Sequence, residues 1–233
     1  MADMNASRKR PSKYPMPFTR IEVAVLTLVD GKLSVLLARR AQEPFAGHWA
    51  LPGGVLRIDL DSSLEDAADR VVRERLTTGL PDLRQLCAVG GPGRDPRAPW
   101  GLSIVYRALS PAGTAQPIAG KRIEELRWAS VETPAKVSGL AFDHDVLVAR
   151  AVGTLREDVE ELDLPYGLLP PLFTLTELQQ ACEAVVAHSL DKSSFRRRLA
   201  ERDVVEPVEG ERRVGAFRPA QLYQRRARLK GLR

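Results

Sequence analysis

Cysteine is nearly absent from this 233-residue chain: Cys87 and Cys182 lie far apart, in no C-x-x-C arrangement. That excludes a disulfide scaffold and fits a reducing compartment with two buried thiols. Histidine is as scarce, and His48, His144 and His188 are too scattered for a zinc site. No apolar run approaches the ~20 residues that span a bilayer. Met1 to Phe18 is basic but lacks the apolar centre of an export signal, so it reads as a disordered tail and the chain as cytoplasmic. Repeats, low-complexity tracts and any Ser-His-Asp or Cys-His order are missing too, and no cofactor is expected.

What is present is a globular composition, 44% apolar and 28% charged, long enough for one or two domains. The net charge of +5 is unevenly spread. From Asp191 onward thirteen cations face six acids, a local +7, which leaves about −2 for everything before it. A basic end on a mildly acidic body points to nucleic acid or another anionic surface.

Ile21 to Val29 and Lys32 to Ala38 read as strands joined by an Asp30-Gly31 hairpin turn. Leu51-Pro52-Gly53-Gly54 follows, where glycines let backbone approach a ligand. Leu64, Ala67, Ala68, Val71, Val72 and Leu76 then recur at helical spacing behind a Ser63 cap. Arg84 to Val89, Ser103 to Ala108 and Leu126 to Ala129 are further strands, with a glycine-proline loop from Gly90 to Gly101. Asp143 or Asp145 caps a long helix to about Leu162, apolar at Val146, Val148, Ala149, Val152 and Leu155. Pro165, Pro170 and Pro171 break the helical pattern and mark a domain boundary.

Beyond the prolines, Thr174 to Glu177 has the form of a capping box, opening a helix to about Ser189. Asp191 caps a second helix, Lys192 to Arg202, and Val204-Val205 and Gln221 to Tyr223 flank a charged loop, Glu209 to Pro219. Helix, turn, arginine-rich helix and hairpin with a basic tip is the order of a winged helix-turn-helix. The residues this order turns toward DNA are Thr174, Thr176, Lys192, Ser193, Ser194, Arg196, Arg197 and Arg198, with Arg212, Arg213 and Arg218 on the wing.

The Gly53-Gly54 loop and the helix from Ser63 to Leu80 resemble the Nudix box, G-x5-E-x7-R-E-U-x-E-E-x-G-U, whose glutamates hold Mg²⁺ against a diphosphate. Mg²⁺ demands several oxygen ligands in near-octahedral array. Registered on Arg70, the first acid of R-E-U-x-E-E becomes Val71 and the last becomes Arg75, leaving Glu74. Registered on Arg73-Glu74, the acid pair becomes Thr77-Thr78, and on Gly79-Leu80 it becomes Leu76 and Thr77. No register keeps more than one of the three. The sequence therefore predicts a Nudix scaffold without its catalyst, and no metal site.

Binding can outlast hydrolysis. Arg94 and Arg97 in the Gly93 to Arg97 loop, and Arg39 with Arg40 at a strand end, offer guanidinium forks for phosphate. Trp49 and Phe142 are stacking candidates, Gly53 and Gly54 close-approach candidates, and His144, beside Phe142 at the start of the long helix, is a further candidate to face the ligand.

The joint pattern resembles the NrtR family, the Nudix-related transcriptional regulators of NAD biosynthesis. The resemblance runs from about Thr19 to Arg226 and rests on Pro52-Gly53-Gly54, Arg94 to Arg97, Leu140 to His144, Phe173 to Leu178, Asp191-Lys192 and Phe195-Arg196. It implies an α+β protein: a Nudix-like α/β/α sandwich with a mixed sheet, then a winged helix-turn-helix. Residues 1–18 would be tail, 19–163 the sensing domain, 164–172 the linker and 173–233 the reading head. The implied function is a homodimeric repressor of NAD-metabolism genes that binds operator DNA and is released by ADP-ribose or a related nucleotide. An active hydrolase of ADP-ribose-like substrates carrying an accessory DNA-binding domain is the alternative.

Overall fold

Nine of the twelve residues of β1 (Phe18–Val29) are buried, which makes this strand the spine of the molecule. The computed structural model describes residues 16–80, 83–114, 117–133, 138–213 and 219–226. Strand side chains alternate between faces, so Ile21, Val23 and Val25 enter one apolar core while Ala24 and Leu26 enter another. β2 (Lys32–Arg40) folds back antiparallel through Asp30 (φ 48°) and Gly31 (φ 73°), the left-handed pair of a tight hairpin turn.

β3 (Trp49–Ala50) pairs with β2, β4 (Gly53–Val55) with β1, β5 (Arg84–Pro92) with β6 (Trp100–Leu109), and β7 (Ile123–Ser130) with β2. β6 runs parallel to β1, and the sheet order β3-β2-β1-β6-β5 is mixed. The glycine-proline loop is shorter than the sequence suggests. β5 runs on to Pro92 and β6 begins at Trp100, so the ladder extends to both ends of that segment.

Helix α1 (Leu64–Leu76) covers one face, burying Ala67, Ala68, Val71, Val72 and Leu76; Ser63 accepts from the Asp66 amide at 3.0 Å. Helix α2 (His144–Glu160) covers the other. Its buried residues include Leu147, Val148, Ala151, Val152, Leu155 and Val159, whereas Val146 and Ala149 are exposed. The expected stripe was rotated because Leu147, Ala151, Leu155 and Val159 form a straight i, i+4 row that outweighs it.

The proline segment is not a free spacer. Leu164, Leu168, Leu169 and Phe173 are buried in the same core as α2, continuous with Leu178 and Cys182 of α3 (Leu175–Val186) and Phe195 and Leu199 of α4 (Lys192–Arg202). Thr174 and Glu177 form the expected reciprocal capping box, and Asp191 accepts from the Ser194 amide at 2.8 Å. β8 (Val205–Arg213) and β9 (Ala220–Arg225) form the hairpin, with the first strand reaching further into the charged segment than expected. Among the described residues no helix is long and apolar enough to cross a membrane.

Candidate ligand pocket and nucleic-acid interface

The Gly-Gly loop is placed by two close approaches. A Cβ on Gly53 would drive into Glu22 Oε2, and one on Gly54 would sit 2.8 Å from Val71 Cγ2. Glycine is required at both. Above this loop opens a small cleft lined by Arg20, Arg39, Arg40, Arg75, Arg97 and Arg122. Six arginines around one small space are held apart by several local partners. Arg39 reaches Glu124 and Glu125 at 3.4 and 3.9 Å, Arg97 chelates Asp95, and Arg20 donates to buried Glu22 at 2.6 Å.

Three of the six, Arg40, Arg75 and Arg122, have no carboxylate in ion-pair contact among the described residues, whereas Arg20, Arg39 and Arg97 do. Arg40 donates to Pro44 O at 2.8 Å and Arg75 to Gly53 O at 2.8 Å and Lys121 O at 2.6 Å. Burial, then the neighbouring Arg20 and Arg97 charges, push Arg40 down to about 10. Arg75 is lowered as well, by burial and then by Arg122. A cluster of guanidiniums with this little local compensation carries a positive potential that attracts anions.

A smaller pocket shares Arg20 and is lined by Phe18, Arg94, Phe142 and His144. Phe142 holds φ 60°, rare for a bulky residue and a mark of local strain beside a site. Its ring stacks on His144 at 5.2 Å, and Arg20 and Arg40 lie 5.4 and 5.0 Å from its centroid. His144 is fully buried, Nδ1 accepting the Leu51 amide at 2.9 Å; burial, and Arg20 and Arg94, hold its pKa below the ordinary value. It is thus neutral and fastens the start of α2 to the Gly-Gly loop.

Of the residues expected at the site, Arg39, Gly53 and Arg97 line the main cleft, while Arg94, Phe142 and His144 line its neighbour. Trp49 and Gly54 line neither. Trp49 is partly buried beneath Arg127, 4.1 Å from its ring, and Gly54 serves the contact with Val71. The forks of Arg94 and Arg97 are not free as supposed: Arg94 bonds Asp143 and Ser103, and Arg97 bonds Asp95. Asp143 accordingly spends its carboxylate on Arg94 rather than on capping α2. Arg20, Arg75 and Arg122 were missed. Arg20 hides inside an apolar strand, and the other two meet it only through the fold.

The donor set does not suit a divalent metal. Val71 is buried against the loop, Glu74 lies 3.5 Å from Arg70, and Arg70 is engaged by Asp61. Among the described residues no three His, Cys, Asp or Glu side chains converge.

In the C-terminal unit, Phe195 and Leu199 anchor α4 and leave Lys192, Ser193, Ser194, Arg196, Arg197 and Arg198 exposed. Arg197 has Glu201 at 3.7 Å, Arg212 is exposed, and Thr176 lies on the surface. Three expected contacts have structural duties instead. Thr174 is buried in its capping box, Arg198 donates to Glu160 O at 2.8 Å, and Arg213 engages Glu177 and Leu172 O. Arg218 lies outside the described residues.

A Nudix-like sheet-and-helix domain carrying a winged helix with an exposed basic helix defines the class: a transcriptional regulator. The NUDIX domain model matches residues 18–151, and the NrtR DNA-binding winged helix domain model matches residues 165–224. The chain belongs to the NrtR family of Nudix-related transcriptional regulators. It is 37% identical over 213 residues to the ADPR responsive transcriptional repressor NtrR of Acinetobacter baylyi, covering 91% of this chain and 84% of that one. It is similar to the crystal structure of Shewanella oneidensis NrtR complexed with a 27mer DNA (TM-score 0.75, 32% identity, 89% of this chain and 93% of that). The NUDIX domain of the same Shewanella protein complexed with ADP ribose matches at TM-score 0.57 and 31% identity, over 64% of this chain and 94% of that.

Proposed function

We propose that this chain is a transcriptional repressor that binds operator DNA as a homodimer, holds ADP-ribose without cutting it, and lets go of DNA when the nucleotide binds. Residues 19–163 sense and residues 173–233 read. The observation that carries the reading is a cleft with three guanidiniums, Arg40, Arg75 and Arg122, that lack carboxylate contacts among the described residues, joined through one helix to an arginine-faced reading head. Arg39, Gly53, Arg94, Arg97 and Phe142 contact the nucleotide, with Arg20, Arg40, Arg75 and Arg122 added to them. Lys192, Ser193, Ser194, Arg196, Arg197 and Arg212 contact DNA, and genes of NAD metabolism are the target class.

Helix α2 supplies the link. Its start is fixed at the pocket by Asp143–Arg94 and His144–Leu51. Its end is fixed to the reading head twice: Arg156 donates to Val185 O at 3.0 Å, and Arg198 to Glu160 O at 2.8 Å. A nucleotide that re-engages Arg94 or Phe142 shifts the start of α2, and the head follows. A dimer must match half-sites about 34–36 Å apart or a multiple, so a small change of spacing penalises binding. Titrating ADP-ribose into a complex with an inverted-repeat duplex, selected from a random pool, tests this. Release supports it; unchanged DNA affinity with nucleotide bound refutes it.

A further inference from the structure

Arg75 stands at the place that the Nudix pattern, registered on Arg70, gives to its last carboxylate. Helix α1 points it into the cleft. Two backbone carbonyls, Gly53 O and Lys121 O, splint the guanidinium through Nε and Nη1. Among the described residues Nη2 has no hydrogen-bond partner, and Glu74 sits 3.5 Å from Arg70 rather than pairing with Arg75. The group lines the cleft beside Arg40 and Arg122.

A divalent ion at this spot would need oxygens, and the two nearest carbonyls are already spent on a cation. A metal entering there would meet positive charge. Conversely, the guanidinium is a rigid fork whose parallel N–H bonds match two phosphate oxygens. Arg40, splinted by Pro44 O at 2.8 Å, supplies a second fork in the same cleft. A diphosphate linkage, with one negative charge on each phosphate, matches the adjacent forks of Arg40 and Arg75, which with Arg122 lack carboxylate counter-ions among the described residues.

We propose that the Arg75 guanidinium takes over the position and electrostatic task of the divalent ion, so that the cleft grips a diphosphate directly and without metal. This rests on the nucleotide-binding reading above and extends it. The acid-to-arginine exchange is then one change with two effects: it removes the machinery that would activate water and it keeps the grip. Occupancy persists, as a sensor requires.

The test is calorimetric titration of the full chain with ADP-ribose and, separately, with inorganic pyrophosphate, each in excess EDTA and in excess Mg²⁺. The expected result for the unaltered chain is affinity in EDTA at least as high as in Mg²⁺, because the ion complexes free diphosphate and competes with the guanidinium for its oxygens. Arg75→Gln should weaken both ligands by about tenfold to a hundredfold, the loss of a charge-assisted bond. Arg75→Lys should recover part of it, a point charge replacing a fork. Binding that requires Mg²⁺, or an Arg75→Gln protein that binds as tightly as the unaltered one, overturns the proposal while leaving nucleotide sensing intact. If pyrophosphate binds in EDTA through Arg75 but ADP-ribose does not, the proposal stands and the ADP-ribose reading falls. If neither ligand binds, both fall. Should Arg75→Gln fail to fold, the comparison of EDTA with Mg²⁺ on the unaltered chain, together with Arg75→Lys, still decides.

Discussion

Arg198, on the exposed basic helix, donates its Nη2 to the backbone carbonyl of Glu160 at 2.8 Å, so an arginine of the reading head closes the end of the helix that begins at the pocket. The last carbonyls of a helix lack partners within it, and a cation there is favourable. The bond is exposed and worth about 1 kcal/mol, small enough to open and close as the two units move. Arg198→Ala should leave ADP-ribose affinity alone while shrinking the factor by which ADP-ribose changes DNA affinity. Measuring that factor in both proteins checks it; an unchanged factor removes Arg198 from the linkage.

DNA binding should fall steeply with salt. For about 6–10 phosphate contacts made by a dimer, affinity drops ~10³–10⁵-fold between 50 and 200 mM. Arg196→Ala together with Arg197→Ala should cost about 1–3 kcal/mol for each side chain that reads a guanine, and should relax specificity. Fluorescence anisotropy on matched and mismatched duplexes separates the two effects. No loss from the double change excludes α4 as the reader.

Incubated with ADP-ribose and Mg²⁺ or Mn²⁺, the protein should leave the nucleotide intact. Registered on Arg70, the Nudix pattern puts Val71 and Arg75 where carboxylates would hold the ion, and registered on Arg73-Glu74 it puts Thr77 and Thr78 there. Chromatography of the nucleotide over time is decisive: turnover near ~1–10³ s⁻¹, the ordinary enzyme range, contradicts the account. Acids restored at 71 and 75 are not expected to revive hydrolysis, because Val71 is buried against Gly54 in an apolar setting, and a ligand without an outer shell of hydrogen bonds to orient it is loose.

Stability should decline in mild acid through His144. Burial holds its folded pKa below the usual ~6.5 of the unfolded chain, although Glu22 and Asp143 pull the other way and Arg20 and Arg94 add to the depression. The unfolded state therefore takes up the proton first, and stability is lost as pH falls below ~6.5. His144→Asn, whose side-chain oxygen can still accept from the Leu51 amide, should flatten the dependence of the thermal midpoint between pH 7 and 5. An identical slope in the variant assigns the effect to other groups.

Local chemistry was legible in the sequence, and convergence was not. Asp30-Gly31, Ser63, the Thr174–Glu177 box and Asp191 act within a few residues of themselves, so their turn and caps appear where expected. The apolar stripe of α1 was equally plain. The stripe of α2 was misjudged because Val146 and Ala149 are apolar yet exposed, and only the neighbouring sheet selects the buried face. The arginine-lined cleft brings together Arg20, Arg40, Arg75, Arg97 and Arg122 from five separate segments, and no spacing rule gathers them. The partner of Arg94, Asp143, lies 49 residues away and needs the fold, whereas Asp95 is two residues from Arg97 and is a local pair that the sequence reading overlooked.

The central claim is that nucleotide and operator oppose one another through α2. ADP-ribose affinity should therefore be measured by titration with and without saturating operator duplex, and operator affinity with and without saturating ADP-ribose. The account predicts that each ligand weakens the other by the same factor, about 5–150-fold, since coupling free energy is reciprocal. Tight binding of both with a factor of one would contradict it.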